Sequence, residues 1–180
     1  MNYTCPAAFS MIRHSFVIVA LCSVWLRNAY AEEEAFSASV VSIQDGDTMT
    51  VVDSLRREFV IRLSAIDAPE ISQVYGQEAQ KALRALVLKK PVVVRGYDLD
   101  KYGRILADVE VGGVDVGVHL VGRGLAWHAA HFADDETLSD HQKLAQLLKL
   151  GLWQDAKPCP PWQWRHKDAP GFIEPSPINR

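Results

Sequence analysis

Five short β-prone runs, each cut off by a turn signal or a proline, occupy residues 39–111. Ser39–Ile43 alternates polar and apolar residues, as a half-buried strand does. Gln44-Asp45-Gly46-Asp47 is a turn signal, Thr48–Val52 a second β-prone run, and Asp53–Arg57 a second polar turn. Glu58–Ile66 reads as a third strand with Phe59, Ile61, Leu63 and Ala65 on one face, halted by Pro69. Pro91 opens a fourth through Val92, Val93 and Val94, and Arg104–Val111 is a fifth, closed by Gly112-Gly113. Helical spacing of Ala79, Ala82, Leu83, Leu86 and Val87 predicts a helix over Gln77–Leu88, with Lys89-Lys90 suited to its C-terminal end. Val114–Gly122 reads as a short helix. Thr137 or Ser139 would cap a longer one running to Gly151, with Leu144, Leu147, Leu148 and Leu152 as its apolar residues. Short strands with helices between and after them predict an α+β fold: a five-stranded Greek-key barrel of the OB type with about three packed helices.

The ends of the chain differ from this middle. Residues 1–31 hold no acid; Arg13 and His14 precede an uncharged run from Ser15 to Leu26, and Ala29-Tyr30-Ala31 precedes Glu32-Glu33-Glu34. A basic start, an apolar stretch and a small-x-small site make a cleavable signal peptide over 1–31. As a helix the apolar run would reach only about 18 Å against roughly 30 Å of bilayer hydrocarbon, so cleavage is favoured over a membrane anchor. The expected product is secreted or periplasmic, a monomer with no membrane contact and no stable protein partner. Residues 32–157 form the barrel domain, and 158–180 a Pro- and Trp-rich tail. Cys159 is the cysteine left after cleavage, so no internal disulfide is expected. Without Arg13 and Arg27, 17 Lys and Arg face 22 Asp and Glu, a net charge of −5. That balance argues against broad electrostatic capture of nucleic acid, and a nucleic-acid enzyme of this composition needs a local basic cleft and a bound cation.

Two polar segments carry such chemistry. Asp45-Gly46-Asp47-Thr48 is followed by Arg62 and by Asp67-Ala68-Pro69-Glu70; farther on comes Asp100-Lys101-Tyr102-Gly103-Arg104. Both lie at turns or strand ends, where functional groups are commonly presented. Carboxylates hold a hard cation or take a proton, and guanidiniums match phosphoryl oxygens two-pronged. Together they are the set that phosphodiester cleavage requires.

In these motifs and their order, residues 40–153 resemble the staphylococcal nuclease (thermonuclease) family. The resemblance implies calcium-dependent hydrolysis of DNA, and of RNA, to 3′-phosphate ends. It implies Asp47, Asp67 and the main-chain carbonyl of Ala68 as ligands of one Ca²⁺, and Glu70 as the base that activates water. Arg62 and Arg104 would clamp the phosphate, with Lys101 and Tyr102 on a terminal phosphate of the substrate. The chain departs from the staphylococcal pattern in a shortened stretch between Glu70 and Tyr75, in Glu110 where an aromatic is usual, and at Ala130 and Phe132, which align with two pocket tyrosines.

Other features carry less. His119, His128, His131, His141 and His166 lack zinc-ligand spacing. Trp162-Gln163-Trp164-Arg165 reads as packing onto the barrel, with stacking on a base as the alternative. The competing function is an OB-type module that binds oligonucleotides or a protein without cutting. A retired site should have lost one of Asp47, Arg62, Asp67, Glu70 or Arg104, and all five are present.

Overall fold

A computed structural model describes residues 34–130 and 135–166. The proposed leader at 1–31 and the end of the tail lie outside these residues. Strands β1 (Glu34–Ile43), β2 (Thr48–Asp53) and β3 (Glu58–Leu63) form an antiparallel meander. The two-residue β4 (Ile66–Asp67) and helix α1 (Gly76–Val87) follow, then β5 (Pro91–Leu99) and β6 (Ile105–Val111). β5 pairs antiparallel with both β1 and β6. A parallel ladder between β3 and β6, with Ile61 opposite Ile105, Arg62 opposite Leu106 and Leu63 opposite Ala107, closes five strands into a barrel. The edge strand β7 (Val114–Asp115) leads into α2 (Val116–Gly122); β8 (Trp127–His128), α3 (Glu136–Leu147), a 3-10 turn (Gly151–Gln154) and α4 (Pro161–Trp164) complete the chain.

Period-two alternation puts Met49, Val51, Ile61, Leu63, Val94 and Val109 inside the barrel, and α1 covers it with Ala79, Leu83 and Val87 at four-residue intervals. Among the described residues no helix is long and apolar enough to cross a membrane.

The third strand ends at Leu63, earlier than the alternation through Ile66 predicts. Ala65 adopts φ 54, which reverses the chain, and Ile66–Asp67 instead pairs with Trp127–His128. This break matters, because it turns Asp67 out of the barrel wall. The 114–122 helix begins at Val116, with Asp115 capping it by accepting a hydrogen bond from Val118 N at 2.8 Å.

The last long helix is also corrected. Asp135, not Thr137 or Ser139, is its cap, accepting from Leu138 N at 3.1 Å, and the helix stops at Leu147 rather than Gly151. Its buried residues are Leu138 and Ala145, whereas Leu144, Leu147 and Leu148 are exposed. Starting at Asp135 sets which face meets α2, and that face is not the leucine-rich one.

Candidate active site

Asp45-Gly46-Asp47 turns sharply into β2, with Asp45 Oδ1 accepting from Asp47 N at 3.0 Å. A Cβ at Gly46 would lie 2.6 Å from Ala68 Cβ and 2.7 Å from Ala79 Cβ, so only glycine lets this turn press against the 66–69 segment and α1. Asp47, 5% exposed, is thereby stitched to that segment: its Oδ2 accepts from Ala68 N at 2.7 Å, and its Oδ1 from Thr48 Oγ1 at 3.0 Å.

Arg62 knits the acids together from β3. Nη1 donates to Leu63 O at 2.8 Å and Ile66 O at 3.0 Å; Nη2 donates to Asp67 Oδ1 at 3.0 Å and lies 3.1 Å from Asp47 Oδ2. These carbonyls are free to accept because the strand breaks at Ser64–Ala65. Burial pushes the Asp47 carboxyl up to about 7 against the attraction of Arg62; the charges of Asp45 and Asp67 act in the same upward direction as burial.

A pH dependence follows. Between its ordinary value of 3.8 and about 7, Asp47 keeps a proton in the folded chain that the unfolded chain has released. The associated stability is fully present below 3.8 and is lost as pH rises through about 7. Thermal unfolding in chelator should therefore show a midpoint that falls between pH 5 and pH 8. Asp47→Asn should flatten that fall; the same slope in the variant would show that another group causes it.

Glu70 sits at the head of a tight loop before α1. Its amide donates to Gln73 Oε1 at 2.8 Å, and Gln73 is itself 8% exposed. A Cβ at Gly76 would lie 1.9 Å from Glu70 O, so the shortened 70–75 loop closes on a glycine. The β5–β6 hairpin supplies the other side. Asp100 accepts from Tyr102 N at 2.8 Å, Arg104 N at 3.0 Å and Arg104 Nε at 2.6 Å. Although desolvation pulls the other way, these bonds hold the Asp100 carboxyl below its ordinary value. Tyr102 is exposed, with Lys101 Nζ 5.0 Å and Arg104 Cζ 5.5 Å from its ring centre.

All eight residues expected at the site, Asp47, Arg62, Asp67, Ala68, Glu70, Lys101, Tyr102 and Arg104, line one cavity of about 1230 Å³. The hairpin contributes Lys101, Tyr102 and Arg104 to its lining, and the ion pair of Arg104 is with Asp100. Among the described residues no three His, Cys, Asp or Glu side chains cluster as a ready metal cage. Asp47 and Asp67 nonetheless supply two buried, hard oxygen donors at one point, the chemistry that suits Ca²⁺ or Mg²⁺ completed by water. His128 is buried, its backbone N–H donating to Gln142 Oε1 at 2.8 Å. Ala130 is exposed; His131 and Phe132 lie outside the described residues.

One cavity residue went unread in this role. Arg165 places Nη2 2.7 Å from Asp67 Oδ2, and Nη1 3.2 Å from Asp67 Oδ1 and 2.9 Å from Glu70 Oε1. The residues before it do pack on the body of the protein: Pro161 is buried, and the Trp162 ring meets Trp127 at 5.5 Å, which in turn meets Trp153 at 4.4 Å. The signal available in sequence was an arginine directly after an aromatic pair that could anchor it.

The model of staphylococcal nuclease homologues matches residues 60–155. Over 129 residues the chain is 43% identical to a protein named as an uncharacterized endonuclease of Escherichia coli, covering 71% of this chain and 84% of that one. A protein of the same name from Haemophilus influenzae is 33% identical over 158 residues, 88% of this chain and 89% of its own. A micrococcal nuclease of Shigella flexneri is 34% identical over 141 residues, 72% and 80% of the two chains. With this barrel, this cavity and these matches, the chain belongs to the family of staphylococcal nuclease homologues.

Proposed function

We propose that this nuclease, a hydrolase of nucleic-acid phosphodiesters, works with one Ca²⁺ held by Asp47, Asp67 and the main-chain oxygen of Ala68. It cuts DNA, and RNA, to 3′-phosphate ends. The cation, when bound, supplies neutralising charge and a fixed orientation for the phosphate. Glu70, at the cavity mouth, accepts the proton of the attacking water. Arg62 and Arg104 stabilise the negative charge that develops on the phosphoryl oxygens. The Asp100 pair uses one edge of the Arg104 guanidinium, through Nε, and a phosphate takes the other. Lys101 and Tyr102, on the hairpin rim, contact a terminal phosphate. The enzyme acts as an exported monomer; the leader pattern at 1–31 supports this localisation.

One observation carries the reading: the guanidiniums of Arg62, on β3, and Arg104, on the β5–β6 hairpin, line a single cavity with the carboxylates of Asp47, Asp67 and Glu70. Digestion of labelled single- and double-stranded DNA and RNA across a metal panel, with product ends mapped, tests it. Ca²⁺-dependent cleavage of single-stranded DNA, abolished by chelation, is expected. Arg104→Ala should lower turnover about 10²- to 10³-fold, as loss of one transition-state donor does, with little loss of fold. Full activity in chelator, or in Arg104→Ala, would refute the assignments; binding without cleavage under every metal would favour an oligonucleotide-binding module.

A further inference from the structure

We propose that Arg165 and the divalent cation exclude each other at Asp67, so that Arg165 is a built-in pin whose release by the cation also frees Glu70. The inference rests on the reading of Asp67 as a cation ligand, and goes beyond it in giving the C-terminal segment a part in the site.

The oxygens of Asp67 are unequally used. Oδ1 accepts from Arg62 and Arg165, whereas the partner of Oδ2 is Arg165 at 2.7 Å. The guanidinium thus lies two-pronged across the carboxylate, on the oxygen that Arg62 leaves open to a cation. Two positive groups cannot share that oxygen without strong repulsion. The same guanidinium holds Glu70 Oε1 at 2.9 Å, which ties up one oxygen of the proposed base and draws on its basicity. While Arg165 is seated, both the cation ligand and the base are engaged.

The pin is held in place by contacts that do not involve its own charge. Gln73, which fixes the Glu70 amide, donates from Nε2 to Cys159 O at 3.1 Å. Trp164 Nε1 donates to Ser72 Oγ at 3.3 Å, and Trp162 rests on Trp127. The base-bearing loop and the C-terminal segment are therefore one unit, and Arg165 is delivered to the acids at little further entropic cost. Its side chain is 45% exposed, which leaves it room to swing out.

Calorimetric titration of the whole chain with Ca²⁺ alone, without substrate, tests the pin. A competitor seated on the site lowers apparent affinity by the fraction of sites left open, so Arg165→Gln should bind Ca²⁺ about tenfold tighter than wild type. Arg165→Lys keeps the charge but loses the fork; it should bind roughly threefold tighter, and serves if the Gln variant fails to fold. Equal or weaker binding in the variants, with Asp67→Asn abolishing it, overturns the pin and leaves the cation site standing. No Ca²⁺ binding by wild type or any variant overturns both.

Discussion

Glu70→Gln is expected to lower kcat by about 10²- to 10⁴-fold, the range a positioned general base contributes. The substitution keeps the shape of the side chain and a carbonyl that can still accept from Arg165, while removing the lone-pair basicity that takes a proton from water. Little of the fold depends on the lost charge. The Glu70 side chain is 38% exposed, and the loop is fixed through its backbone amide and Gln73 rather than through the carboxylate. The unfolding midpoint should therefore stay close to that of wild type, and KM should move far less than kcat. Single-turnover cleavage of a labelled oligonucleotide at saturating enzyme measures the chemical step directly. A Gln variant within tenfold of wild type would remove Glu70 from the proton transfer.

Arg62→Ala should be the most destabilising single change at the site, by about 3–5 kcal/mol, the usual result of stripping one partner from a buried ion pair. The side chain is 14% exposed, and its loss leaves Asp47 and Asp67, both nearly fully buried, without that counter-charge. It also leaves the carbonyls of Leu63 and Ile66 without their guanidinium donor. Urea unfolding in chelator measures the loss. Saturating Ca²⁺ should return part of it by mass action, because the cation neutralises the same carboxylates. Arg62→Lys restores the charge but cannot span two carbonyls and two acids, and should fall between the two. A loss below about 1 kcal/mol, the level of an exposed pair, would mean that Arg62 does not hold the acids together.

Local chemistry explains why so much of this was legible in sequence. Asp45-Gly46-Asp47 and Asp100–Arg104 are turns whose side chains bond to neighbours two to four residues away, so spacing alone indicates their geometry. The strand pattern likewise carries the barrel, because alternation specifies which residues face inward. The break at Ala65 was not legible: Ser64-Ala65 looks like a continuing strand, and the positive φ is imposed by the pairing of Ile66–Asp67 with Trp127–His128. For α3, the spacing of the leucines points to a later start than the capping aspartate sets; with the register fixed at Asp135, Leu144, Leu147 and Leu148 lie at the surface and Leu152 is buried in the 3-10 turn beyond the helix. Arg165 reaches its acids across 95 and 98 residues of chain, and Gln73 reaches Cys159 across 86. Contacts of that separation leave no local pattern.

The parallel ladder that closes the barrel has a consequence for folding. Arg62 is opposite Leu106, two residues past Arg104, so the two guanidinium-bearing positions lie on either side of the seam, roughly 8 Å apart at strand spacing and rise. No interval of sequence sets that distance; it exists only once β3 and β6 have met. With the proposed roles of Arg62 and Arg104, a chain with every hairpin made but the seam open should keep most of its strand signal by spectroscopy while cutting nothing.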